Sequence, residues 1–381
     1  IKGYLGRKRD ADWYKVSLEG LDPNLVLRAE LSAVEGVRFE LVVTDEQERR
    51  PLVVRRGGSK GKPVRVRNLG LSGPPEAVYV VVRSAWVKGE KKGKFVRTFN
   101  PSVPYSLVVS VESAAADLEL ESNDEPARAM PLKDGQVVRG FVAVPSDKDW
   151  YAVELEQPSI LSATLEVPER LDLQLYVLDT ASVEAAKAGK KDSYLVRRNA
   201  GRLGEPEQVV NVALPKGKNY LRVEGAWKLV DGRYVRDFAS AEETYRLSVN
   251  LGPDDGRTER EPNDREKEAS AVEVGKPVRG TIHPAGDVDW FVLDLSADAG
   301  PSNVLVELSP LPKLDLGFAL YEQQAGAEPK LLAKVSKAPA SEKEYLMKEL
   351  VPGVYLIKVW GSPRTESNAT DSYTLSVSRP G

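Results

Sequence analysis

Apolar residues along the chain fall in short runs rich in Val, Leu and Tyr, broken by Gly, Pro, Asp and Asn at near-regular spacing. The runs cover residues 14–18, 25–31, 37–43, 78–82 and 105–109; then 150–155, 160–167, 171–178, 220–223 and 245–249; then 290–295, 304–308, 314–321, 354–359 and 373–377. Alternating or fully apolar runs bounded by turn residues predict antiparallel strands of a β-sandwich. No stretch of the first set sustains a helical period. The expected fold class is all-β.

The three sets are copies of one unit. Asp-x-Asp-Trp followed by Tyr or Phe occurs as Asp10-Ala-Asp12-Trp13-Tyr14, Asp147-Lys-Asp149-Trp150-Tyr151 and Asp287-Val-Asp289-Trp290-Phe291. A glycine stands ten residues before each tryptophan: Gly3, Gly140 and Gly280. The tryptophans are 137 and 140 residues apart, a domain-sized rather than a solenoid spacing. Leu171-Asp172-Leu173 and Leu314-Asp315-Leu316 lead into equivalent strands, and Tyr105, Tyr245 and Tyr373 open the last strand of each copy. Three tandem antiparallel β-sandwich domains are expected, at 1–116, 117–254 and 255–381. The later copies have a lead-in of about 20 residues before their glycine, whereas the first begins two residues before Gly3. The sequence is therefore expected to start inside a module. Trp13, Trp150 and Trp290 are expected to fill the sandwich cores, with the aspartates ordering the preceding turn.

The first two copies carry an extra segment, 86–99 and 227–238. Asp231-Gly232 between apolar residues is a strong hairpin signal, and two projecting β-hairpins are predicted. Their Trp86, Lys91, Phe95, Phe99, Trp227, Tyr234 and Phe238 are candidate partner-binding residues, since exposed aromatics suit interface anchoring; the alternative is a solvated hairpin without a partner. The junctions 112–125 and 252–268 are short and acidic, with no Gly/Ser or Pro-rich tract, so the copies are expected to be strung semi-rigidly.

Composition narrows the function. The 381 residues are 41% hydrophobic and 29% charged, with 54 basic against 57 acidic side chains and a net charge of −3, so no global field points to nucleic acid or an anionic membrane. No run approaches the ~20 apolar residues of a transmembrane helix. There is no cysteine and one histidine, His283, which excludes thiolate sites, Cys-His nucleophiles and multi-histidine metal centres. Gly57-Gly-Ser59-Lys-Gly61 fits a hydrolase pattern in letters, but it lies in a basic loop with no helix predicted to follow. His283 has no counterpart in the other copies and is expected at the surface or in a turn. No catalytic residues are assigned.

The sharpest chemistry lies in the lead-ins, Glu119-Leu-Glu121-Ser-Asn123-Asp124 and Glu259-Arg-Glu261-Pro-Asn263-Asp264. Oxygen-bearing side chains at alternate positions of an extended segment point to one side. With Asp147 and Asp149, or Asp287 and Asp289, they form a hard-oxygen set suited to Ca²⁺, which takes six to eight such ligands. The alternative is that the Asn-Asp pairs cap a turn or short helix and the acids are simply exposed.

Glu-x-Asn-Asp, then glycine, then Asp-x-Asp-Trp-Tyr, Leu-Asp-Leu, Pro-Gly-x-Tyr at Pro352-Gly353 and a final tyrosine-led strand together resemble the bacterial pre-peptidase C-terminal domain. The related collagen-binding domains of clostridial collagenases are similar. The resemblance implies a jelly-roll-like sandwich in a secreted or surface protein, without catalysis of its own. In the collagen-binding relatives it implies calcium held at the positions of Glu119, Glu121, Asn123 and Asp124, which Glu259, Glu261, Asn263 and Asp264 match equally. The expectation is a non-catalytic, extracytoplasmic (secreted, surface or periplasmic) array engaging a protein or polysaccharide partner by multivalent contacts. Alternatives are an envelope or surface subunit docked through the two hairpins, and accessory domains of a secreted peptidase.

Overall fold

Strand alternation decides what each repeat buries. In the strand Lys148–Leu155, Tyr151, Val153 and Leu155 enter the main apolar core around Leu161, Leu175 and Leu247, and Trp150 and Ala152 point the other way. The same parity sends Phe291 and Leu293 inward from Val288–Asp294. The tryptophans therefore do not fill the sandwich cores. Trp150, 6% exposed, packs on the outer sheet face with Tyr176, Leu178, Val183 and Tyr220. Trp290 lies against Tyr321, and Trp13 is 47% exposed beside Tyr79. The residue next to an inward-facing aspartate must face outward, and Asp149 and Asp289 are the ones that are fully buried.

The computed structural model describes all residues except 22–23, 46–50, 73–75, 90–92, 200, 325, 337–338, 340 and 381. The chain is nearly all β, in three pairs of sheets, each closing over its own apolar core. In the first pair, Lys2–Leu5, Asn100–Ser113, Asn24–Leu31 and Val64–Ser72 lie side by side against Ala11–Ser17, Ala77–Ser84, Phe39–Thr44 and Pro51–Arg56. The second pairs Val137–Gly140, Tyr245–Pro253, Ser159–Glu166 and Glu207–Leu214 with a five-stranded sheet centred on Gly217–Gly225. The third repeats this with Val278–Ile282, Asn368–Ser378, Ser302–Leu308 and Glu344–Leu350 against a sheet centred on Val354–Ser362. Ladders are antiparallel apart from the two-residue strands Met130–Pro131 and Ser270–Ala271. Burying a Leu or Val side chain contributes about 1.5–3 kcal/mol, so the twenty or so residues of each cluster are the main source of its cohesion.

Several elements lie outside the expected runs. The edge strands Val64–Ser72, Glu207–Leu214 and Glu344–Leu350 were not anticipated. A helix, Thr180–Lys187, covers the outer face of the second unit, its N-cap Asp179 accepting from Ser182 N at 2.7 Å. Both hairpins form: Trp86–Lys88 with Phe95–Arg97, and Lys228–Val230 with Arg233–Val235 across Asp231 and Gly232, both at positive φ. No helix among the described residues is long and apolar enough to cross a membrane.

Candidate functional site: two acid-lined junctions

Each lead-in is a strand shared between neighbours. On one side it joins its own sandwich, Glu119 N donating to Arg139 O and Glu259 N to Arg279 O, both at 2.8 Å. On the other it adds to an edge strand of the preceding sandwich. Glu121 N donates to Asn68 O (2.8 Å) and Gly70 N to Glu121 O (2.6 Å); Glu261 N donates to Asn211 O (2.9 Å) and Ala213 N to Glu261 O (3.0 Å). The receiving edge bulges at these points, between the partners of Leu27 and Ala29 and of Leu161 and Ala163. The extra residues include Asn68 and Asn211, with φ of 35° and 55°, a left-handed backbone that asparagine tolerates better than most residues.

This bulge turns the asparagine side chains into the acid clusters. Asn68 Nδ2 donates to Glu119 Oε1 at 3.1 Å and to Glu119 O at 2.9 Å; Asn211 Nδ2 donates to Glu259 Oε1 at 2.9 Å. The other oxygen of each glutamate accepts from the last-strand tyrosine, which opens the strand at Tyr245 but lies inside it at Tyr105 and Tyr373: Tyr245 Oη donates to Glu119 Oε2 at 2.9 Å, and Tyr373 Oη to Glu259 Oε2 at 3.4 Å. The same hydroxyls reach Asp149 Oδ2 (2.7 Å) and Asp289 Oδ2 (2.5 Å). The repeated glycine is explained here. A methyl group at Gly140 or Gly280 would collide with the tyrosine hydroxyl and the glutamate carboxylate.

The predicted residues thus converge at two junctions. Glu119, Glu121, Asn123, Asp147 and Asp149 are buried together, with Asp124 half-buried; Glu259, Glu261, Asn263, Asp287 and Asp289 are buried together, with Asp264 exposed. Carboxylate oxygens of Glu121, Asp124 and Asp147 lie within 4.8 Å of one another, as do those of Glu259, Glu261 and Asp289. Burial, reinforced by neighbouring acids, raises every buried carboxyl of both clusters above its ordinary range: Glu119, Glu121 and Glu259 to about 7, Glu261 to about 8 and Asp287 to about 9, with Asp147, Asp149 and Asp289 also well up. Several polar atoms have no hydrogen-bond partner: Asp147 Oδ1, Asp149 Oδ1 and both amide atoms of Asn123 at the first junction, and Glu261 Oε1, Asp289 Oδ1 and both amide atoms of Asn263 at the second. The asparagines do not act as helix caps. The short turns that follow, Pro126–Arg128 and Glu266–Glu268, lack a side-chain cap bond. Chemically, such a set can hold one hard cation, which would satisfy the orphan oxygens and relieve the repulsion.

The remaining predicted residues lie elsewhere. Asp10 accepts from Gly6 N and Asp12 from Tyr105 without further acids. On the hairpins, Trp86 is 53% and Tyr234 71% exposed, and Phe95, Phe99 and Trp227 are also exposed. Phe238 is instead partly buried against the second core. Lys91 lies outside the described residues. Arg97 and Arg236 stack over Trp86 and Trp227, 5.0 and 4.6 Å from the ring centroids. His283 is in a turn, as expected, but not free at the surface: it packs against the preceding sandwich, Nε2 3.3 Å from Gln208 O. Burial, with Arg198 nearby, lowers its pKa. Sequence reading missed the residues supplied in trans, Arg55, Asn68, Arg198 and Asn211. A left-handed asparagine leaves no periodic signature.

No family model matches the chain, and no curated protein matches it. Among solved structures, the pre-peptidase C-terminal domain of a collagenase from Bacillus anthracis aligns with 30% of this chain and 99% of its own, at 16% identity and a TM-score of 0.25. A protein from Eubacterium rectale described as secreted aligns over 63% of this chain and 72% of its own, at 13% identity and a TM-score of 0.18. A triple jelly-roll protein of an archaeal virus covers 98% of this chain and 94% of its own, at 8% identity and a TM-score of 0.16.

Proposed function

We propose that the chain is a non-catalytic, extracytoplasmic scaffold of three β-sandwich modules in which calcium pins an acid-lined junction, so that partner-binding surfaces are held in a fixed relation. The observation that carries the reading is the set of buried, unpartnered oxygens at the second junction: Glu261 Oε1, Asp289 Oδ1 and the Asn263 amide. Leaving such groups unpaired is unfavourable, and a divalent ion would turn that into cohesion by fixing the lead-in to its own sandwich while the lead-in backbone pairs with the preceding module's edge strand. The residues that would hold it are Glu259, Glu261, Asn263, Asp264, Asp287 and Asp289; Glu119, Glu121, Asn123, Asp124, Asp147 and Asp149 form the matching set at the first junction. The test is thermal melting in calcium and in chelator. An ion at about 100 times its dissociation constant adds roughly 2.7 kcal/mol to the native state. A raised melting temperature is expected, and none would overturn the reading.

The partner, a protein or a polysaccharide, is best met by the hairpins. The outer sheet faces differ among the modules: Glu40 pairs with Arg56 and Arg83 in the first, a helix covers the second, and Lys334 and Lys358 lie over Trp360 and Trp290 in the third. This favours docking through the aromatic arms of the first two modules over one binding surface repeated three times. Removing 88–96 and 228–235, which spares the Arg236 pair with buried Glu224, is expected to abolish partner binding while leaving the melt unchanged.

A further inference from the structure

The two junctions use matching acids but differ in the cations facing them, and we propose that the chain closes the first with its own guanidinium and leaves only the second to take a metal ion. The proposal rests on the calcium reading above. Each cluster draws on five carboxylates, so the acids do not distinguish the two. The difference comes from the preceding module. Arg55 stands opposite Leu41 in its hairpin and Arg198 opposite Leu175, equivalent positions of the repeat. Arg55 is 8% exposed, with Nη2 2.5 Å from Glu121 Oε1 and 3.6 Å from Asp147 Oδ1. Arg198 acts on Glu261 only through space, and its Nε has no partner. The corresponding oxygen, Glu261 Oε1, is unpartnered too.

Neighbouring contacts follow the same division. At the first junction Arg65 pairs with Glu242 at 2.7 Å and Arg67 Nε donates to Ala241 O at 2.8 Å. The second module carries Gln208 and Val210 at those positions, counted from Val66 and Val209, which pair with Ala29 and Ala163. Across the second junction no arginine takes part at these positions; Asn211 donates to Glu259 and to Thr281, at 2.9 and 3.4 Å, and His283 meets Gln208. A guanidinium beside Glu121 and Asp147 occupies Glu121 Oε1, the oxygen whose counterpart is free at the second junction, and repels a dication. Both junctions keep aspartate and asparagine oxygens without a hydrogen-bond partner, at Asn123, Asp147 and Asp149 in the first and at Asn263 and Asp289 in the second, but only the second adds a free lead-in glutamate oxygen, Glu261 Oε1.

Calorimetric calcium titration of the full chain tests this. One ion per chain is expected, lost in Glu261→Gln and retained in Glu121→Gln. Arg55→Met should raise the count to two and lower the melting temperature in chelator, with calcium restoring it. Two ions in the unaltered chain, or one ion lost in Glu121→Gln but kept in Glu261→Gln, would overturn the inference and leave the calcium reading standing. No ion at all would overturn the calcium reading; the clasp is then judged by Arg55→Met in chelator, where an unchanged melt overturns it. If Arg55→Met does not fold, the unaltered chain and the two glutamine variants decide.

Discussion

Asn211 is the residue through which the second module grips the third, and two substitutions separate its roles. Its side chain donates to Glu259 Oε1 at 2.9 Å, and its backbone sits at φ 55°. Asn211→Gly keeps the backbone and removes the donor. A hydrogen bond to a charged group contributes about 1.5–3 kcal/mol, so the junction should open about ten- to a hundredfold more readily. Asn211→Ala loses the same bond and adds about 1–2 kcal/mol for a left-handed non-glycine residue, a further five- to thirtyfold. The assay is amide hydrogen exchange in chelator, followed at Glu261 N and Ala213 N, which bond to Asn211 O and Glu261 O. Exchange in Ser302–Leu308, inside the third core, should not change. Equal rates for the two variants, or no acceleration in either, would refute the role given to the bulge.

Other consequences follow from the same geometry. Gly280→Ala forces a methyl group onto Tyr373 and Glu259, and overpacking of this kind costs about 1–3 kcal/mol, to be read as a lowered melting temperature; Gly353→Ala, with nothing closer than 3.8 Å, is the control. Trp150→Ala should destabilise by about 3–5 kcal/mol, whereas Trp13→Ala, on an open face, should cost under about 1 kcal/mol, as measured by denaturant melts. Stability should also depend on pH with a definite sign. The folded chain retains protons on buried carboxyls that the unfolded chain gives up above about 4.5, so in chelator the melting temperature should fall as pH rises through 7 to 9. Calcium should flatten that slope, and a melt that rises over this window in chelator would contradict the burial of the acids.

The repeat, the sandwich class and the acidic lead-ins were legible in the sequence because they rest on local pattern: apolar runs, the Asp-x-Asp-Trp spacing and alternating oxygen donors. What was not legible depends on strand parity or on a neighbour. Trp150 reads as core until Asp149 is known to face inward, which turns the tryptophan outward. The strand Val64–Ser72 alternates only over Val64-Arg65-Val66-Arg67 before the bulge at Asn68 shifts its buried positions to Leu69 and Leu71, so neither half is long enough to stand out. Arg55 and Arg198 cannot be told apart by sequence, although one pairs with a lead-in glutamate and the other does not. Tyr245 and Tyr373 were visible as last-strand residues, but their hydroxyls' reach to two acids each appears only once the strands are paired. The helix Thr180–Lys187 buries only Val183 and spans eight residues, too short for a periodic signal.

The central claim, a calcium site built between modules, is tested most directly by terbium luminescence. Tyr373 Oη lies 2.5 Å from Asp289 Oδ2, so a lanthanide held by Asp289 would sit beside a sensitising ring. Excitation of the aromatic residues should produce terbium emission that calcium displaces and that Asp289→Asn removes. Absence of sensitised emission, or emission that calcium does not displace, would contradict the account.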